Sequence, residues 1–115
     1  MRKQLTGLVA ALALVAVAGP ALAAEQTITA SDKTFAFKPA TITLQAGKPN
    51  KLKFVSASGA HGIMQKDIGL NVAAILPGPG TEVTVTPKKK GTYVAHCSLV
   101  CGSGHAGMAM KFIVK

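Results

Sequence analysis

Residues 92–97 read TYVAHC and place Tyr93, Ala95 and Cys97 on one side of an extended chain, with the residues between them on the other side. Residues 111–114, KFIV, repeat this alternation. A period of two predicts a β-strand in each run. The intervening residues therefore leave one strand and enter the next as a loop.

The same alternation recurs along most of the chain. These runs are short, are rich in Thr, Val, Ile and Phe, and are separated by Gly, Pro, Asn and Asp. They cover residues 26–30, 34–38, 41–45, 52–55 and 83–86. About seven short strands predict an all-β protein with a single domain, folded as a Greek-key β-sandwich. Residues 67–76 fit a strand or a buried irregular run, and no segment shows an amphipathic helix of three turns.

The N-terminal segment has the layout of a secretory signal peptide. Arg2 and Lys3 precede an apolar run at 5–19, which ends at Pro20, and small residues follow at 21–23. We predict a signal peptide at 1–23 and a domain at 24–115. An uncleaved membrane anchor is the alternative, although the apolar run is shorter than the roughly 20 residues of a typical span.

Length and charge narrow the range of functions. A chain of 115 residues with 49% hydrophobic residues is too short for a large enzyme and too apolar for a disordered protein. Its net charge of +9 falls to +7 without Arg2 and Lys3, and every remaining basic residue is Lys. The absence of Arg and the predicted export argue against nucleic acid as a partner. The basic residues, including those at 88–90, indicate either docking to an anionic surface or solvation alone.

Four candidate metal ligands lie within twelve residues. Cys97 and Cys101 are four residues apart, His105 follows after four more, and Met108 after a further three. Glycines at 102, 104 and 107 allow the loop to turn these side chains toward one centre. Thiolate, thioether and imidazole together favour copper over hard cations. Iron–sulfur clusters require more Cys, and structural zinc rarely takes Met.

A second imidazole is available upstream. His61 follows the strand that contains Phe54. In a sandwich, the end of that strand and the end of the Cys97 strand can meet at the same end of the molecule. We therefore include His61 in the predicted copper site. His96 should point away from Cys97 by strand alternation, and we expect it at the surface.

The pattern Cys-x3-Cys-x3-His-x2-Met with an upstream His resembles the binuclear CuA motif of cytochrome c oxidase subunit II and nitrous oxide reductase. The wider frame from the run at 35–37 through Gly47 to Phe112 resembles a cupredoxin. The resemblance implies two copper ions, with two thiolates bridging both, one imidazole on each, and a thioether and a backbone carbonyl as weak ligands. In this sequence those ligands are Cys97 and Cys101, His61 and His105, Met108 and the carbonyl of Leu99.

The sequence departs from the oxidase pattern in several respects. Leu99 stands where the oxidase subunit has an acidic residue, the chain has no Trp, and its positive charge contrasts with the acidic face of oxidases. Only the short leader precedes the copper domain, where the oxidase subunit has membrane helices. The resemblance therefore favours a free, exported copper domain over an oxidase subunit.

The resemblance implies a one-electron carrier rather than an enzyme. The carboxylates are scattered, and a saturated copper site leaves no open position for a substrate. We expect a periplasmic monomer, without a membrane span after cleavage, whose redox partner has an acidic face. An auxiliary role in a cytochrome c oxidase-type complex, as a dissociable subunit, stays open.

Three other interpretations of the cluster remain at this point. Cys97 and Cys101 could form a structural disulfide in an oxidising compartment. A mononuclear blue-copper site needs only one of the two thiols, and could use His61, Cys101, His105 and Met108. The same ligands could also serve a periplasmic copper chaperone or buffer for a respiratory oxidase, with a more exposed and exchangeable metal.

The leader can be tested by export of the full chain from a bacterial host. Cleavage after Ala23 predicts an exported protein whose first residue by mass spectrometry is Ala24. Ala23→Phe should block cleavage, because the peptidase reads small residues at this position, whereas Leu22→Val should be processed normally. Recovery of the intact leader on unsubstituted protein in the membrane fraction would instead identify an anchor.

Overall fold

The computed structural model describes residues 24–99 and 107–115, and these residues form nine β-strands and one short 3₁₀ turn. The strands are β1 (Gln26–Ser31), β2 (Ala36–Lys38), β3 (Thr41–Leu44), β4 (Asn50–Ser58), β5 (His61–Gln65), β6 (Leu70–Ile75), β7 (Thr81–Val85), β8 (Gly91–Cys97) and β9 (Ala109–Val114); the turn is Lys66–Ile68.

Two sheets pack face to face. One has the strand order β2-β1-β4-β7, and the other has the order β3-β9-β8-β5-β6. The pairs β1/β4 and β3/β9 are parallel, and the remaining pairs are antiparallel. The predicted all-β sandwich is therefore confirmed.

Two local predictions need correction. No strand was predicted at 61–65, yet β5 forms there and pairs with both β6 and β8. The alternating run at 34–38 is only partly a strand: Phe35 has a positive φ of 49° within a turn, and β2 starts at Ala36. Phe37 nevertheless enters the core as the alternation predicted.

The core lies between the two sheets. Phe37 and Phe54 from the first sheet and Phe112 from the second are buried, and they are surrounded by aliphatic residues from most of the strands. Burial of one such side chain contributes about 2–3 kcal/mol. All of the described core lies within residues 28–114, so residues 24–115 contain every element of the domain described above.

Asn50 is a buried polar residue that joins three parts of the backbone. Its Oδ1 accepts a hydrogen bond from the Gln45 N–H at 2.9 Å. The two N–H groups on its Nδ2 are shared among the carbonyls of Gln45 at 3.0 Å, Lys48 at 2.7 Å and Val85 at 3.2 Å. The side chain therefore fixes the β3–β4 turn against β7.

The sandwich has two ends with different connections. At one end, called the Cys97 end, lie the β1–β2, β4–β5, β6–β7 and β8–β9 connections. At the other end, called the Lys88 end, lie the β3–β4, β5–β6 and β7–β8 connections. The predicted ligands from the β4–β5 and β8–β9 connections therefore belong to one end of the molecule.

The predicted signal peptide at 1–23 lies outside the described residues, so its boundary stays a prediction. Within 24–99 and 107–115, no helix is long and apolar enough to cross a membrane.

Asn50→Ala should lower the free energy of unfolding by about 2–3 kcal/mol, because it leaves buried backbone groups without their partners. Chemical denaturation of residues 24–115 measures the effect. Asn71→Ala is the matched control, since Asn71 is exposed on β6, and it should change stability by less than about 0.5 kcal/mol. Equal losses from both substitutions would contradict the role assigned to Asn50.

Candidate metal centre

His61 is the first residue of β5 and is fully buried. A tight turn at Gly59, where φ is +80°, reverses the chain from β4 into β5. His61 pairs with Ile75 of β6, and its Nε2 lies 2.7 Å from the carbonyl oxygen of Ser58. Because a carbonyl only accepts, Nε2 carries a proton and donates, so Nδ1 is the nitrogen that can present a lone pair.

Nδ1 of His61 is buried and has no hydrogen-bond partner among the described residues. Burial of such an atom without a partner costs about 1–3 kcal/mol. A neutral imidazole with one nitrogen held by a carbonyl and the other presenting a lone pair is the usual form of a histidine metal ligand. This atom therefore fits the predicted role of His61.

Cys97 ends β8 with its side chain in the core, 5% exposed. It pairs with Ile63 of β5, and the next residue, Ser98, donates its N–H to the carbonyl of Gly62 at 3.0 Å. The Sγ of Cys97 donates to the carbonyl oxygen of Leu99 at 3.2 Å. The predicted thiolate ligand and the predicted carbonyl ligand are therefore neighbours.

Met108 lies immediately before β9 and is fully buried. Its carbonyl accepts the N–H of Cys97 at 2.9 Å, which closes the base of the β8–β9 loop. The backbone thus fixes both ends of the loop that carries the candidate ligands. The neighbouring Met110 is in the core, and His96 is exposed, as strand alternation predicted for His96.

The other two predicted ligands, Cys101 and His105, lie outside the described residues. Within 24–99 and 107–115, no three His, Cys, Asp or Glu side chains form a group that could hold a metal ion. Four of the six predicted ligands are described, and His61, Cys97, Leu99 and Met108 all lie at the Cys97 end.

Two residues that sequence reasoning missed support the site. The carbonyl of Ser58 orients His61, and no motif in the sequence marks this contact. Gly62 separates Ser98 from β6: an added Cβ would lie 2.7 Å from the Ser98 Oγ and 2.9 Å from the Ala73 carbonyl oxygen. Only glycine allows this close approach between the strands.

The described part of the Cys97 end exposes two large apolar side chains. Leu76 follows β6 and is 53% exposed, and Leu99 follows β8 and is 37% exposed. The loop sequence from 98 to 108 contains no Lys, Arg, Asp or Glu. Apolar side chains next to a metal ligand exclude water and allow close approach by another protein.

The cupredoxin-like domain family matches residues 5–113 of the chain. The chain belongs to the cupredoxin-like family. The sandwich, the buried His61 and the Cys97 loop are thus parts of a cupredoxin, and copper is the metal that this family supports for the donor set of thiol, thioether and imidazole.

This cupredoxin has relatives of two kinds. It is 34% identical over 112 residues to a chloroplast plastocyanin of Fritillaria agrestis. The matched region covers 89% of this chain and 68% of the plastocyanin. It is also 32% identical over 81 residues to cytochrome c oxidase subunit 2 of Thermus thermophilus, which covers 70% of this chain and 59% of that subunit. The cupredoxin therefore spans about three fifths of the Thermus subunit.

Solved structures show the same fold. The periplasmic domain of cytochrome oxidase subunit II from Bradyrhizobium japonicum superposes with a TM-score of 0.65 at 19% identity, over 77% of this chain and 83% of that domain. Auracyanin A, a blue copper protein from Chloroflexus aurantiacus, gives 0.62 at 19% identity, over 84% of this chain and all of the other.

Gly62→Ala should destabilise the protein by about 1–3 kcal/mol, because the new methyl group has to displace Ser98 or the β6 backbone. Denaturant unfolding of the metal-free domain measures the change. Gly107→Ala is the control at the other end of the loop, where an added Cβ would meet no heavy atom of the described residues within 4 Å. An unchanged free energy of unfolding for Gly62→Ala would contradict the close approach of Gly62 to Ser98 and β6.

Proposed function

We propose that the protein is an exported one-electron carrier with a CuA-like dinuclear copper centre. The observation that carries the proposal is the buried His61, whose Nε2 is fixed by Ser58 and whose Nδ1 has no hydrogen-bond partner among the described residues. The two-cysteine motif with Cys97 and Cys101 favours two copper ions over one. Bound copper would supply reversible one-electron oxidation and reduction.

The described residues would hold such a centre with little movement. His61 is confined by the β5–β6 pairing and by the hydrogen bond to Ser58, and Cys97 is confined by β5 on one side and by Met108 on the other. A site whose ligands are already fixed needs little rearrangement when its charge changes. The scaffold therefore suits electron transfer better than metal exchange.

The proposed partner is a redox protein that approaches the Cys97 end. Exposed Leu76 and Leu99 offer it an apolar contact close to the proposed ligands. We propose a periplasmic location and a monomer. An acidic partner face is expected from the net charge alone, whereas the contact proposed at the Cys97 end is apolar and does not use the lysines. An auxiliary role beside a cytochrome c oxidase is consistent with the relationship to the Thermus subunit.

A single blue-copper ion is the second candidate, and the relationship to plastocyanin favours it. In that arrangement Cys101 alone would supply the thiolate, and Cys97 would be a buried thiol. A copper chaperone or buffer would use the same ligands but release the metal readily.

Copper content and electron paramagnetic resonance of the reduced, copper-loaded and reoxidised domain test the proposal. We expect two coppers per chain, with hyperfine splitting from two equivalent nuclei. His61→Gln should weaken copper binding by at least about tenfold through loss of a ligand. His96→Gln is the matched control and should bind copper normally, because His96 is exposed on the outer face of β8.

Separate substitutions of the two cysteines distinguish the candidates. A dinuclear centre requires that both Cys97→Ser and Cys101→Ser abolish the two-nucleus spectrum. One copper per chain that survives Cys97→Ser but not Cys101→Ser would overturn the dinuclear proposal in favour of blue copper. Rapid transfer of copper to a chelator would instead support a chaperone.

A further inference from the structure

The lysines are concentrated at the end of the sandwich opposite the candidate metal centre. Removal of Arg2 and Lys3 from the thirteen basic residues leaves eleven lysines, all within the described ranges. Six of them lie in the connections of the Lys88 end or directly after β9, and all six are exposed: Lys48, Lys66, Lys88, Lys89, Lys90 and Lys115. Among the connections of the Cys97 end, Lys33 is the one lysine.

Backbone hydrogen bonds bring these segments together. Gly47 donates to the carbonyl of Pro87 at 2.7 Å, and Ala46 donates to the carbonyl of Lys115 at 2.9 Å. The β3–β4 turn, the β7–β8 loop and the end of β9 therefore share one surface. Tyr93 donates its hydroxyl to the carbonyl of Lys89 at 2.8 Å, which holds the β7–β8 loop in place.

The 3₁₀ turn completes the same surface. Asp67 and Ile68 line one side of a cleft of about 610 Å³, and Lys88 and Lys89 line the other. Glu25 and Asp67 are the acidic residues at this end, which therefore carries six positive and two negative side-chain charges. The remaining carboxylates, Asp32 and Glu82, lie in the β1–β2 turn and on β7.

The chain also enters the domain at this end. β1 runs parallel to β4, and Gln26 pairs with Leu52 near the start of β4. Residues 24 and 25 therefore lie at the Lys88 end. A group of exposed lysines at one end of a domain is typical of electrostatic attachment to an anionic lipid surface.

We propose that the Lys88 end binds the surface of a membrane rich in anionic phospholipids and directs the candidate metal centre away from the bilayer. Each lysine close to such a surface contributes to binding within the screening distance of about 10 Å. β8 runs seven residues from Gly91 to Cys97, roughly 20 Å, between the lysines and the site. An acidic redox partner on the lysines would thus be held away from the centre, and the membrane is the better fit.

Co-sedimentation of residues 24–115 with lipid vesicles tests the proposal without any contribution from residues 1–23. We expect binding to vesicles of mixed phosphatidylcholine and phosphatidylglycerol, little binding to phosphatidylcholine alone, and loss of binding as salt is raised. The combined variant Lys88→Gln, Lys89→Gln and Lys90→Gln should lower the partition coefficient at least about tenfold. The hydrogen bond from Tyr93 to Lys89 uses a backbone carbonyl, so the substitutions leave it intact.

The matched control removes the same charge elsewhere. It combines Lys33→Gln, Lys38→Gln and Lys111→Gln, which are exposed positions outside the Lys88 end. This variant should lose much less binding than the first. Unfolding curves establish that both variants are folded; if the first is not, Lys48→Gln with Lys66→Gln replaces it. Acetylation of the unsubstituted protein gives an independent readout, in which vesicles should protect Lys88 and leave Lys33 reactive.

Three results would overturn the proposal. Absence of binding to the anionic vesicles would do so directly. Equal losses from the two variants would show a general effect of net charge. Binding to an acidic polypeptide such as polyglutamate, without binding to vesicles, would identify the lysines as a docking surface for an acidic protein. None of these measurements requires copper, so they are independent of the proposed electron transfer.

Discussion

β8 lies between β5 and β9, and the two ladders beside it determine how Cys97 enters the core. On one side Ile63 pairs with Cys97, and on the other the Cys97 N–H donates to Met108. A shift of either ladder by one residue would turn Cys97 outward and His96 inward. The positions of Cys97 and of its neighbours Leu99 and Met108 therefore depend on this register.

His61 shows how the scaffold fixes a ligand before any metal binds. The hydrogen bond to Ser58 sets the tautomer, and Nδ1 is buried without a partner among the described residues, an arrangement that costs free energy unless a ligand meets it. A metal ion at Nδ1 would relieve that cost. Folding and metal binding are then linked, and the ligated protein should be the more stable form.

The sequence predicts the sandwich because alternation of buried and exposed residues is simple in β3, β8 and β9. It does not predict β5, because the first three residues of this strand are all buried and show no alternation. The sequence also places Phe35 in a strand, because its apolar side chain fits the alternation, whereas Phe35 belongs to a turn. Of the site, spacing could indicate His61 and Cys97, whereas the carbonyl of Ser58 depends on tertiary structure alone.

The uneven placement of lysines makes one end of the strands positive relative to the other. The positive end is the Lys88 end, and Lys33 is the one lysine among the connections of the Cys97 end. A negatively charged solid, such as an electrode coated with carboxylates, would therefore adsorb the protein in one orientation. In that orientation the strands separate the conductor from the candidate centre, so an uncharged apolar coating is the better contact for voltammetry.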